Sequence, residues 1–220
     1  MRRKGASSIP TLQYVVRILW FYLGLAILSL GYSLVIAPMV GAAPWDIFHL
    51  GMAKQSGISL SLVIQLTGVV IILLNLALGI RPGVGMFLNM FSVGPMLQFL
   101  LQHLPMPDSL PGRWLMLGLG LFVIGVGTAL YVSADLGPGP RDGLMIGLTR
   151  KTGLPVAVIK NSMDLAVAVT GWLLGGPLGL GTVAVALGIG PSIQFGMYLV
   201  ARLATYRPFT GFVRPVALKR

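Results

Sequence analysis

The chain has no cysteine and no glutamate. Without cysteine there is no disulfide, no thiolate metal site and no cysteine nucleophile. Its only acidic residues are five aspartates, set against 16 lysines and arginines. Charge of either sign is scarce, at 10% of the 220 residues. The chain also lacks strand-like alternation, which argues against an outer-membrane barrel. No P-loop, G-x-S-x-G, H-E-x-x-H or dinucleotide-binding fingerprint is present. The sequence therefore predicts no enzyme, no cofactor and no metal site. What is abundant is apolar: 55% of residues are hydrophobic, and the mean hydropathy is +0.88. A soluble domain of this size has too little interior to hide that much apolar surface.

Long apolar runs predict an all-α polytopic membrane protein. Six spans are expected, at residues 18–37, 60–78, 84–104, 114–134, 155–174 and 182–201. The basic start resembles a signal peptide, but no small-residue cleavage site closes the apolar run, so the first span is read as uncleaved. The net charge of +11 does not point to nucleic acid. The basic residues sit at helix ends, as the positive-inside rule requires. With both termini inside a bacterial cytoplasmic (inner) membrane, only Lys54 and Arg113 fall outside.

The chain is self-similar at an offset of 96 residues. Residues 24–99 overlay residues 120–195 without a gap, and 17 of the 76 pairs are identical, where this composition gives about 6 or 7 by chance. Nine of the ten glycines in the first window meet a glycine in the second. The expected organisation is a basic N-terminus (1–17), a first membrane repeat (18–104), a proline-rich loop (105–113), a second repeat (114–201) and a basic tail (202–220). Each repeat holds three spans and, after its first span, a polar Pro-x-Asp segment: Pro44-Trp45-Asp46 and Pro140-Arg141-Asp142. A 13-residue helix from Pro44 to Ser56 is about 20 Å long, too short for a hydrocarbon core of about 30 Å. Each segment is therefore expected to be a re-entrant or interfacial half-helix, and three spans per half would invert the second half.

Proline suits a first helical position, and aspartate in the first turn complements the helix dipole. That accounts for a helix start. At membrane depth the same turns face a cavity, and Asp46 and Asp142 become proton or cation sites. Trp45 and Arg141 occupy matching positions in the two copies. Trp45 suits the interfacial aromatic belt, whereas Arg141 beside a half-helix N-terminus can attract an anion. His49 shares a face with Asp46 and is a candidate proton relay. Asp164 lies about ten residues into the fifth span, where its repeat mate is Gly68. A carboxylate at that depth needs a partner or a cavity, and Lys160, four residues earlier, can pair with it. Asn161 completes the candidate solute pathway.

The stretches Gly41-Ala42-Ala43-Pro44-Trp45-Asp46, with Gly51 and Gly57, and Leu136-Gly137-Pro138-Gly139-Pro140-Arg141-Asp142-Gly143-Leu144-Met145 resemble the signatures of the YczE-like, YitT-related bacterial integral membrane proteins. The resemblance implies a multi-pass inner-membrane protein and supplies no site residue. The functional expectation is a small permease or channel-like transporter for a small polar or anionic solute, with the aspartates as candidates for proton coupling. The alternative is a non-transporting accessory or regulatory protein that binds a partner in the membrane. Expected partners are membrane lipid and the solute, not nucleic acid. The glycine-rich helix faces are compatible with a homodimer.

Overall fold

The computed structural model describes residues 11–203. The remaining basic terminal residues, on which part of the charge argument rests, lie outside the described residues. All regular structure among the described residues is helical: α1 (Thr11–Ile36), α2 (Pro44–Ser56), α3 (Leu60–Ala77), α4 (Val84–His103), α5 (Leu110–Ser133), α6 (Pro140–Thr152), α7 (Val156–Leu173) and α8 (Leu180–Leu203). Six of these, all but α2 and α6, are long and apolar enough to cross a membrane. The expected spans are therefore present, with small shifts at their ends. Arg17, read as lying before the first span, is inside α1 and buried. α5 begins at Leu110, earlier than expected. The Ser109 hydroxyl accepts from the Gly112 amide at 3.3 Å, and Pro111 fits the first turn, where its missing N–H costs nothing.

The short helices have matching ends. Each opens with proline at its first position and closes on a left-handed glycine, Gly57 or Gly153. A glycine in this conformation lets its N–H cap the last turn. Here it reaches the Ala53 carbonyl in α2 and the Thr149 carbonyl in α6.

The centre of the molecule is the seam between α1 and α5. Gly24 lies against Tyr131, Gly127 against Leu28, Gly31 against Ile124, and Gly120 against Val35. The numbers rise along one helix as they fall along the other, so α1 and α5 are antiparallel. Glycine is required at these four points because a Cβ would collide with the facing helix. Small residues bring the backbones close enough for dispersion contacts to hold a pair of helices in lipid, where the hydrophobic effect gives no help. On the flanks, α8 packs along α5 through Gly125 and Gly196, and α4 packs along α1.

The short helices cross over. α2 packs on α7, where Gly171 receives the backbone of Phe48, and α6 packs on α3, where Gly147 receives Leu78. Two backbone hydrogen bonds tie the segments before the short helices to the starts of α4 and α8: the Gly85 amide donates to the Leu136 carbonyl at 2.9 Å, and the Gly181 amide donates to the Val40 carbonyl at 2.8 Å. These two bonds are related by the 96-residue offset seen in the sequence.

One contact does not recur. α3 packs along α4, with Gly68 receiving the Met90 side chain, whereas α7 and α8 scarcely touch. The corresponding positions hold Asp164 and Ala186. A carboxylate has replaced the glycine that permits close approach, and a methyl group has replaced the side chain that would fill the gap.

Candidate functional site

The first turns of α2 and α6 meet at the α1–α5 seam. The Arg141 guanidinium carbon on α6 sits 4.6 Å from the centre of the Trp45 ring on α2, a cation–π contact. Arg141 Nη2 also lies 3.5 Å from His49 Nδ1. Arginine is always a donor, so Nδ1 is the acceptor in this contact. With Nδ1 accepting, a neutral ring carries its proton on Nε2. His49 Nε2 has no partner and is buried, the residue being 1% exposed.

The two aspartates hold the same position in their helices but have different surroundings. Asp142 Oδ2 accepts from the Tyr131 hydroxyl at 3.2 Å, and the carboxylate also accepts from the Gly139 backbone. Asp46 Oδ2 has no partner, although the residue is only 4% exposed. Both aspartates lie on the short helices, outside the spans. Burial raises both carboxyls above the usual range. For Asp46 the lift reaches about 7, with the Arg141 charge pulling the other way. For Asp142 the Tyr131 hydrogen bond, Arg141 and the Gly139 amide oppose the lift. Burial, helped by the charge of Arg141, keeps His49 neutral, well below its usual value.

These groups line a cavity of about 130 Å³. Asp46, His49, Arg141 and Asp142 contribute from the short helices, Tyr32 from α1 and Tyr131 from α5. Asn89 of α4 and apolar side chains of α3 and α4 close the other side. Asn75, fully buried on α3, holds α6 in place by donating to the Pro140 carbonyl at 2.9 Å.

Of the residues expected from sequence, Asp46, His49, Arg141 and Asp142 line this cavity, and Trp45 stacks on its arginine. Asp164 stands one contact away: the Trp45 indole donates to Asp164 Oδ1 at 3.2 Å. Lys160 pairs with Asp164 Oδ2 at 2.6 Å, as their spacing predicts. Asn161 is exposed on α7 and does not line the cavity. Sequence reasoning missed Tyr32 and Tyr131. Each lies in the last turns of an apolar span, where a tyrosine is indistinguishable from an interfacial anchor.

Residues 15–198 match the family of unknown function DUF6198. An uncharacterised protein of Haemophilus influenzae is 36% identical over 200 residues, covering 90% of this chain and 91% of that one. The uncharacterised membrane protein YczE of Bacillus subtilis is 34% identical over 196 residues, covering 88% and 91%. The uncharacterised protein YyaS of the same organism is 27% identical over 183 residues, covering 76% and 86%. No solved structure matches the chain. The chain belongs to the DUF6198 family, and its YczE relative bears out the resemblance read from the two Pro-x-Asp motifs.

Proposed function

We propose that this family member is a small permease of the bacterial cytoplasmic membrane, built from two inverted three-span halves with both termini inside. It moves a small polar or anionic solute through the cavity between the first turns of α2 and α6. The antiparallel α1–α5 seam supports the inversion. Were α2 to cross the membrane as a fifth passage, α5 would run parallel to α1. The recurrence of the same contacts at an offset of 96 residues supports two equivalent halves. The crowding of basic residues on one side supports the orientation.

The observation that carries the transport reading is the cavity itself. Its walls are largely apolar but carry the polar side chains of both short helices, it lies where the two halves meet, and it holds two buried groups with no partner, Asp46 Oδ2 and His49 Nε2. An unpaired polar atom inside a membrane protein is costly, so its retention needs a reason, and a passing solute supplies one. Irregular or half-helical backbone at such a junction is the usual way a transporter presents main-chain dipoles to its cargo. Asp46, lifted toward neutrality by burial, is placed to exchange a proton as the solute comes and goes.

Stopped-flow osmotic measurements on proteoliposomes test this reading, with glycerol, urea, glycine and lactate as separate probes. At least one probe should cross faster than in empty liposomes. Asp46→Asn, checked for native melting in detergent, should slow that flux by roughly tenfold or more, the expected loss for a hydrogen bond to a charged group. If every probe crosses at the empty-liposome rate, the permease reading falls and the accessory role takes its place.

A further inference from the structure

The charges in the cavity are opposite in sign, yet they do not pair. Arg141 stacks on Trp45 and touches His49, and Asp46 shares the same cavity. The charged residues that line the cavity, however, form no ion pair within 4.0 Å, whereas Lys160 and Asp164 pair outside it. The carboxylate is under-satisfied, with a buried oxygen that has no partner, and the guanidinium, held by a ring and a histidine, has no carboxylate within 4.0 Å. They form a bipolar site, with donors and an acceptor facing one cavity. The donors are the remaining guanidinium N–H groups of Arg141 and the Nε2–H of His49. The acceptor is Asp46 Oδ2.

The net charge selects among polar solutes. Each of the two helix N-termini contributes about half a positive charge, and Arg141 contributes one more. Asp142, when ionised, offsets about half of that total, and Asp46 offsets the rest once a bound cationic group displaces its proton. The cavity is then close to neutral, which disfavours a net anion or a net cation and favours a solute that carries both charges. Size narrows the choice further. An apolar cavity of roughly 150 Å³ holds benzene, so a space of about 130 Å³ takes a molecule of about six heavy atoms.

We propose that the cavity takes a small zwitterion, an α-amino acid between glycine and serine in size, with its carboxylate on Arg141 and His49 and its ammonium on Asp46. Asp46 rather than Asp142 takes the ammonium in this arrangement, because Asp142 Oδ2 already accepts from Tyr131 whereas Asp46 Oδ2 has no partner. The guanidinium fork matches a carboxylate in a way that a lysine ammonium does not. The inference rests on the reading of this cavity as a solute site.

The test is thermal melting of the purified full chain in detergent, near neutral pH, with alanine, propionate and ethylamine as matched probes. Propionate lacks the ammonium of alanine, and ethylamine lacks its carboxylate. Alanine should raise the melting temperature in a saturable way, while propionate and ethylamine at the same concentration should bind at least tenfold more weakly. Asp46→Asn and Arg141→Lys should each weaken alanine binding by tenfold or more, each variant being compared with its own ligand-free melt. Equal shifts with alanine and propionate, or alanine binding that survives Asp46→Asn, would overturn the zwitterion assignment. So would the absence of any shift with alanine. Flux of glycerol or lactate without alanine binding sinks this inference and leaves the permease reading standing. Alanine binding without flux of any probe does the reverse.

Discussion

Asp46 and Asp142 occupy the third position of matching helices, and the contrast between them lies in what surrounds their oxygens. Asp142 accepts from a tyrosine and a backbone amide, so it does the work of a helix start. Asp46 keeps one buried oxygen without a partner, so the proposed permease assigns the chemistry to it. The difference has a measurable sign. Burial lifts the Asp46 carboxyl from 3.8 to about 7, so the folded chain holds a proton that the unfolded chain releases in that interval. The stability this provides is complete below about pH 4, declines as pH rises and is gone above about 7. Asp46→Asn carries no such proton. Its melting temperature should therefore gain on the wild type from pH 4 to pH 7, and the gap should level off beyond that. A gap that stays constant across the range would mean that Asp46 is solvated in the native state. The sequence placed both aspartates in first turns but could not rank them, because the deciding neighbour of Asp142 is Tyr131, in another helix. It also paired Trp45 with Arg141 as counterparts. Their stacking shows that these counterparts are in contact, which occurs only where the two halves meet.

At the scale of the helix, the lengths and ends were legible because they depend on local chemistry. Proline opens α2 and α6, glycine closes them, and apolar runs set the spans. Which glycines carry packing was not legible, since glycine-rich spans are glycine-rich on every face. Gly171 takes the backbone of Phe48 against it where α2 docks on α7, while Gly190 in α8 faces open space. Gly171→Ala should therefore lower stability by about 1–3 kcal/mol, the range for overpacking at a tight contact. Gly190→Ala should raise it by about 0.5–1 kcal/mol, because alanine loses less backbone entropy in a helix. Denaturant titration of the two variants side by side would separate them, and equal effects would show that the α2–α7 contact is looser than its geometry. The Lys160–Asp164 pair was legible from its spacing. Its link to Trp45 joins helices that are adjacent in the fold but distant in sequence.

At the scale of the whole molecule, basic-residue counting could not say whether the Pro-x-Asp segments cross the membrane, because moving both segments across preserves the count. The direction of α5 relative to α1 bears on the question. Leu12, at the start of α1, and Ser56, at the end of α2, are both exposed. In the inverted arrangement they lie on opposite faces of the membrane. Leu12→Cys and Ser56→Cys in the cysteine-free chain should therefore react with an impermeant maleimide from opposite sides, whereas labelling from one side would mean that α2 crosses. The same seam also sets the order in which the protein can be made. The glycine face of α1 finds its partner only in α5, roughly a hundred residues later. At about 5–20 residues per second, the first span waits roughly 5–20 s in the bilayer before the helix that completes it is synthesised. Throughout that time its close-packing face is open to whatever else the membrane offers. The proline-rich loop divides the sequence, but it does not mark a point at which one finished half is followed by another. The close contact that α1 makes with α5 is complete only once α5 has been made.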